Sequence, residues 1–309
     1  MKVLVMGAGA VGCFYGGKLA HAGHDVIFIA RGENLAMLQT SGLTIKSVHG
    51  DLQLAQVTAT DRLDEVGICD LVLICVKSYD TKKAAELIQP AVGPSTLILS
   101  LQNGVENEDI LTRALGAIQV LGGMVYIGAE LTAPGTVLHS FSGRLVFGER
   151  HGKRTTRAEQ LEKSFLAASI QAELSTDITT TLWDKLMWNA AFNAVATLTR
   201  STVGEVLTTP HTRALIRETM REVIAVARAQ GLPLATSRAD EHIESSQSPT
   251  MAVFPTSMAQ DLRQRKRLEY DALNGAVVRF GERFQVSTPL NKTFCALLAQ
   301  LDTINRRSQ

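Results

Sequence analysis

The sequence predicts an α/β domain followed by an all-α helical domain, and three observations carry that prediction. Short branched apolar runs alternate with helical stretches through the first half, a glycine-rich turn interrupts the first such pair, and strand-like runs nearly vanish after about residue 170. The 309 residues exceed one ordinary domain, so two are expected, over 1–170 and 171–309, with a site between them.

Taken in order, KVLVM at 2–6 stops at GAGAVG, as a buried parallel strand does on meeting a tight turn. A helix over 11–22 should close at Gly23, and 26–30 is again strand-like, which completes a βαβ unit. LVLICV at 71–76 precedes a helical TKKAAELIQ, and TLILSL at 96–101 leads into QNG and another helical stretch, extending a parallel sheet. From Gly122 to Glu149 the pattern is glycine-rich and alternating, with Pro134 and Gly135 as a turn, so antiparallel hairpin strands are expected to close the domain. Helices are then expected from a start near 176–180 and over 209–230, 255–284 and 289–304. No internal repeat and no low-complexity linker is visible.

Lys plus Arg number 31 against 30 for Asp plus Glu, so the net charge of +1 provides no field for a polyanion and argues against a nucleic-acid partner. Cys13, Cys69, Cys75 and Cys295 form no CxxC pair and sit among apolar neighbours, which reads as reduced core thiols and no metal site. The chain passes from Met-Lys straight into an apolar run, with no room for a secretory leader, and its apolar stretches are too short to span a bilayer. A cytoplasmic protein without a membrane partner is expected. A monomer and a homodimer both stand open.

GAGAVG comprises Gly7, Ala8, Gly9, Ala10, Val11 and Gly12 and matches GxGxxG. In that spacing the first glycine makes the tight turn, the second lets backbone approach a pyrophosphate, and the third allows close helix packing. The loop follows a strand, opens a helix and leads to a second strand, so it reads as the dinucleotide-binding turn of a Rossmann-type domain rather than a plain glycine turn. Where an NAD site would carry Asp or Glu at the end of the second strand, FIARGEN places Arg31. A guanidinium there attracts a 2′-phosphate, which favours NADPH/NADP; the bland reading is a solvated loop charge.

In LWDKLMWNAAFNAVATL, Lys185, Asn189 and Asn193 recur every four residues and share a face of a helix otherwise apolar nearly all round. Such a row must find partners in the core or line a polar site; asparagines bonded to other helices and a lysine snorkelling to water is the alternative. SMAQDLRQRKRLEYDALNG supplies Ser257, Glu269 and Asn274, with a basic helix face expected over 263–267. Taken alone, Glu269 reads as a salt-bridge partner of one of those arginines, and spacing does not bring it to Lys185.

From GAGAVG through Arg31, CVKS, LQNG and LWDKLxxNxxxN to SMxQDxxxxxxxEYDxLNG, the chain resembles the ketopantoate reductases (2-dehydropantoate 2-reductases) over nearly its full length. The resemblance implies an NADP-binding first domain and a substrate-binding, catalytic helical domain. It implies NADPH-dependent reduction of 2-dehydropantoate to pantoate, in pantothenate biosynthesis, with Lys185 as general acid. Asn189, Asn193 and Ser257 would contact substrate, Asn103 would lie near both nicotinamide and substrate, Lys77 would bind cofactor, and Glu269 would assist at the cofactor side. Hydride transfer would then be matched by proton return from Lys185, whose pKa Trp188 and Met187 would need to lower, in a cleft that closes to exclude water. One departure is visible: a further substrate-contacting asparagine expected at 202–204 is replaced by TVG. A reductase of another small 2-oxo acid therefore stands as an alternative, as does a non-catalytic NADPH sensor.

Overall fold

Branched apolar residues that alternate sides put two cores on one sheet, and that sheet organises the first half of the chain. The computed structural model describes residues 1–116 and 120–307. The chain divides into two units, one formed by Met1–Gln102 with Asn107–Ile178, the other by Asn103–Glu106 with the residues from Thr179 onward.

In the first unit, β1 (Lys2–Met6), α1 (Ala10–His21) and β2 (Asp25–Ile29) form the expected βαβ turn, with β1 and β2 parallel in register Val3 to Val26 and Met6 to Ile29. After α2 (Gly32–Ser41) come β3 (Leu43–Ser47), β4 (Leu52–Leu54) and β5 (Thr58–Thr60), which the sequence reading left unassigned. β6 (Leu71–Ile74), α3 (Thr81–Leu87), β7 (Leu97–Ser100) and α4 (Asn107–Leu115) continue the alternation. A long antiparallel hairpin follows, β8 (Val120–Ala133) and β9 (Thr136–Gly148), turning at Pro134 and Gly135 as expected. α5 (Thr156–Ala167) and β10 (Ala172–Leu174) close the unit, so one short strand persists beyond residue 170, paired in parallel with β9.

The strand order is β4-β3-β9-β8-β7-β6-β1-β2-β5, with β1 at the centre of its parallel part. Val3 and Val5 pack on one side with Phe14, Phe28 and Leu73; Leu4 and Met6 pack on the other with Ile27, Val72 and Ile98. Burying each such side chain contributes roughly 1.5–3 kcal/mol, which is why these strands read as continuous apolar runs.

The second unit is helical. α6 (Ile178–Thr199) is followed by α7 (Glu205–Thr208), α8 (Pro210–Ala229), α9 (Arg238–Ser245), α10 (Pro249–Ala252), α11 (Ser257–Arg263), α12 (Ala276–Phe284) and α13 (Pro289–Arg307). Leu186, Met187, Ala190, Ala191, Phe192, Ala194 and Val195 make α6 the centre of this core.

The continuous helix and basic face expected over 255–284 are corrected here. α11 ends at Arg263, Arg265 turns to φ 55°, and a π-helical turn occupies Asp271–Gly275 before α12 begins. Residues 264–267 form an exposed non-helical stretch. One cause is local and one distant: a helix would stack like charges at Arg263 and Arg267, and the Asp302 carboxylate takes the Leu268 N–H at 2.9 Å in place of a helical carbonyl. Among the described residues no helix is long and apolar enough to cross a membrane, and all four cysteines are free.

Candidate active site

In the first unit β1 delivers the chain to the glycine loop. Gly7 has φ 107°, where an L side chain is strained, and a Cβ on it would come within 2.8 Å of the Val76 nitrogen. A Cβ on Gly12 would lie 2.1 Å from the Gly7 carbonyl oxygen, so the first turn of α1 rests directly on the loop. A Cβ on Gly9 would meet nothing within 4 Å. Its open side is the place where a ligand can touch backbone. No side chain caps the start of α1 and no acid sits in its first turn, so Ala10, Val11 and Gly12 present an uncompensated positive helix end suited to an anion.

Gly7, Ala8, Arg31, Asn34, Asp80 and Lys83 are among the residues lining a cavity of about 260 Å³ beside this loop. Arg31, exposed, stands two residues past the end of β2 and precedes α2. Lys77, partly buried, begins the turn that follows β6. Three of the lining residues escaped the sequence reading. Asn34 donates to the Ala8 carbonyl at 2.7 Å and accepts from Gly135 N–H at 2.8 Å, bracing the loop against the β8–β9 hairpin. Its signal was present in FIARGEN, three residues after Arg31 in the first turn of α2. Asp80 and Lys83, on the segment after β6, carried none.

The second unit holds the other candidates. Lys185, Asn189 and Asn193 share one face of α6, as their spacing predicts, and the fold adds partners from three other segments. Lys185 Nζ donates to Asn103 Oδ1 at 3.0 Å, and Asn189 Nδ2 approaches the same oxygen at 3.4 Å. Asn193 Nδ2 donates to Asn189 Oδ1 at 3.3 Å, and its own Oδ1 accepts from Met258 N–H at 3.1 Å and Ser257 Oγ at 3.4 Å. Asn103, Lys185, Asn189, Asn193 and Ser257 therefore form one chain of polar groups, from the buried Asn193 to the exposed Ser257.

Glu269 joins them from the segment after α11. It is buried, and its carboxylate acts on Lys185 and raises the lysine pKa, whereas the larger effect, loss of hydration, lowers it; the balance puts the lysine at about 8. Spacing along the chain does not reveal this placement near Lys185.

Two supports of the site were not foreseen. Arg279 on α12 bonds Glu106 at 2.5 and 3.2 Å and Asp271 at 2.7 Å, which ties the Asn103–Glu106 segment into the helical unit. Asp184, the neighbour of Lys185, accepts two bonds from Arg238 at 2.8 and 2.7 Å and lies 3.1 Å from His242 Nε2. Burial alone would raise the Asp184 carboxyl, but the bonds to His242 and Arg238 outweigh it and hold the group at about 2. Among the described residues no group of three or more His, Cys, Asp or Glu is placed to hold a metal ion.

Residues 3–152 match the family model described as Ketopantoate reductase PanE/ApbA, and residues 177–302 match the model for its C terminal part. A PanE/ApbA family ketopantoate reductase from Ralstonia eutropha JMP134, known from a crystal structure, is 39% identical with a TM-score of 0.91, covering 99% of this chain and 100% of that one. The crystal structure of 2-dehydropantoate 2-reductase from Geobacter metallireducens GS-15 is 33% identical with a TM-score of 0.93, over 97% of this chain and 99% of that one. A 2-dehydropantoate 2-reductase of Mesorhizobium japonicum is 31% identical over 97% of this chain and 98% of its own length.

Proposed function

The chain belongs to the ketopantoate reductase PanE/ApbA family, and on that premise we propose that it reduces 2-dehydropantoate to pantoate with NADPH, using Lys185 as the proton donor. The observation that carries this reading is the hydrogen bond from Lys185 to Asn103, set in a row of buried amides beside Glu269. A lysine at about 8 holds its proton near neutral pH and releases it far more readily than an ordinary lysine at about 10.4.

The glycine loop fits a dinucleotide: Gly9 leaves open the approach a Cβ would fill, and the start of α1 is suited to a pyrophosphate. Gly7 to Gly12 would hold the pyrophosphate, Arg31 the 2′-phosphate, and Lys77 a further part of the cofactor. When bound, the reduced nicotinamide supplies the hydride to the ketone carbon. Lys185 gives its proton to the ketone oxygen and, while charged, stabilises the negative charge that develops there. An ammonium has three N–H donors, enough for Asn103, Glu269 and that oxygen. Asn103 orients the ammonium, Asn189, Asn193 and Ser257 hold the substrate carboxylate and hydroxyl, and Glu269 keeps Lys185 protonated.

A second reading, a different small 2-oxo acid as substrate, is favoured by residues 202–204. Val203 and Gly204 donate their backbone N–H groups to Phe254 and Ala252 carbonyls at 3.1 and 2.8 Å, and a Cβ on Gly204 would sit 2.7 Å from the Ala252 oxygen. That segment offers no amide side chain for the pantoate hydroxyl. The test is to follow NADPH oxidation by its near-ultraviolet absorbance with 2-dehydropantoate and a panel of branched and linear 2-oxo acids, with NADH in parallel. NADPH-selective turnover of 2-dehydropantoate supports the first reading, turnover of another oxo acid alone replaces the substrate, and dinucleotide binding without turnover across the panel favours a sensor.

A further inference from the structure

Behind the lysine and asparagine row lies a second polar network to which the proposed chemistry assigns no task. Asn274 is fully buried, and its Nδ2 donates to the Ala190 carbonyl on α6 at 2.9 Å and to Asn291 Oδ1 at 3.0 Å. Asn291, also fully buried, donates to Glu222 Oε2 at 2.8 Å. The Glu222 carboxylate in turn accepts the N–H groups of Leu290 and Asn291 at 2.8 and 3.0 Å, on the first turn of α13. Amides placed in a core cost free energy unless bonded, and when bonded they fix one arrangement of the elements they join.

Asn274 belongs to the π-helical turn Asp271–Gly275, where Gly275 N–H reaches back five residues to the Tyr270 carbonyl at 3.0 Å. Such turns are rare, and they concentrate at functional sites because they re-aim side chains. Glu269 is joined to the same stretch, its carbonyl accepting the N–H of Leu273, the residue before Asn274, at 3.2 Å. Glu269, whose charge acts on Lys185, and Asn274, which bonds Ala190, thus sit on one short stretch fastened to α6. At the other end the Asp302 carboxylate holds the N–H of Leu268, the residue just before Glu269.

We propose that Asn274 is a positioning residue: by fastening its turn to the Ala190 carbonyl and Asn291, it keeps the Glu269 carboxylate against Lys185. Asp184, the chain neighbour of Lys185, is bonded to Arg238 and His242, while the charge of Glu269 acts on the ammonium. The inference rests on the reading of Lys185 as proton donor, but its physical content is the charge state of Lys185, which is measurable without turnover.

The experiment measures the rate of acetylation of Lys185 against pH in the full chain, by mass spectrometry of the Lys185 peptide, for the wild type, Glu269→Gln, Asn274→Leu and the double variant. Leucine matches the branched shape of asparagine and adds no ionisable group. The wild-type midpoint is expected at about 8. Glu269→Gln and Asn274→Leu should each lower it by about 1 pH unit, with no further fall in the double variant, because both remove the same carboxylate from the lysine. Asn291→Ser, which loosens the Asn274 amide from its other side, should move the midpoint the same way by less, and it carries the test if Asn274→Leu does not fold. A wild-type midpoint retained in Asn274→Leu or Asn291→Ser alongside a lowered melting temperature would mean a packing role and overturn the proposal. Shifts that add in full in the double variant would overturn it too. If the wild type reduces no 2-oxo acid while the midpoints shift as described, the positioning stands and the functional reading falls.

Discussion

Lys185 and Asn103, 82 residues apart in sequence, are joined by a hydrogen bond of 3.0 Å between Nζ and Oδ1. The amide oxygen gives the ammonium a fixed direction, and the charge that acts on it comes from Glu269. The lysine feels the loss of hydration more than the attraction of Glu269, and it stands at about 8. A lysine whose lost hydration outweighs the attraction of its carboxylate is suited to giving up its proton.

Lys185→Ala should cut turnover by about two orders of magnitude or more, since both proton donation and charge stabilisation are lost. Dinucleotide affinity should change little. Steady-state rates with a fluorescence titration of NADPH check both, and unchanged turnover would remove Lys185 from the chemistry.

The rate of reduction should be full below about 8 and fall with rising pH above it, because only the protonated lysine donates. Glu269 raises the lysine pKa, so Glu269→Gln should move the fall to lower pH. Profiles of turnover against pH for the two proteins test the sign, and an upward displacement would contradict it.

Arg31→Asp should weaken NADPH much more than NADH, because a carboxylate repels the 2′-phosphate and accepts from a 2′-hydroxyl. Dissociation constants for both dinucleotides decide the matter. An equal loss for the two would show that Arg31 does not read the phosphate.

Gly9→Ala and Gly12→Ala should separate binding from folding. The new methyl at Gly9 meets no protein atom, so that variant should melt like the wild type and yet lose dinucleotide affinity. At Gly12 the methyl would lie 2.1 Å from a carbonyl oxygen, and overpacking of that kind costs about 1–3 kcal/mol. Thermal unfolding and NADPH titration of both variants are the measurements.

The parts of this molecule legible in its sequence are those whose causes are local. β1, the glycine loop and α1 follow from branched residues, glycine spacing and helical period within some twenty positions, and the hairpin of β8 and β9 announces its own turn. The common face of Lys185, Asn189 and Asn193 follows from 3.6 residues per turn. β3, β4 and β5 were not legible, since short half-polar strands owe their state to the neighbours they pair with. The break between α11 and α12 was hidden because Asp302, which captures the Leu268 N–H, lies 34 residues away.

By itself, then, the sequence determined the two architectures, the dinucleotide turn and the row of polar groups on α6, because each is encoded in residue spacing along one element. It determined the family through the combined motifs, each fixed in local order. Only the tertiary structure decided that Asn103 meets Lys185, that the charge of Glu269 acts on the lysine, and that Asn274 fastens its turn to α6. Those are contacts between segments distant along the chain. Their geometry comes from how whole helices pack, and their electrostatics from the water that packing removes, neither of which is written in the spacing of any one segment.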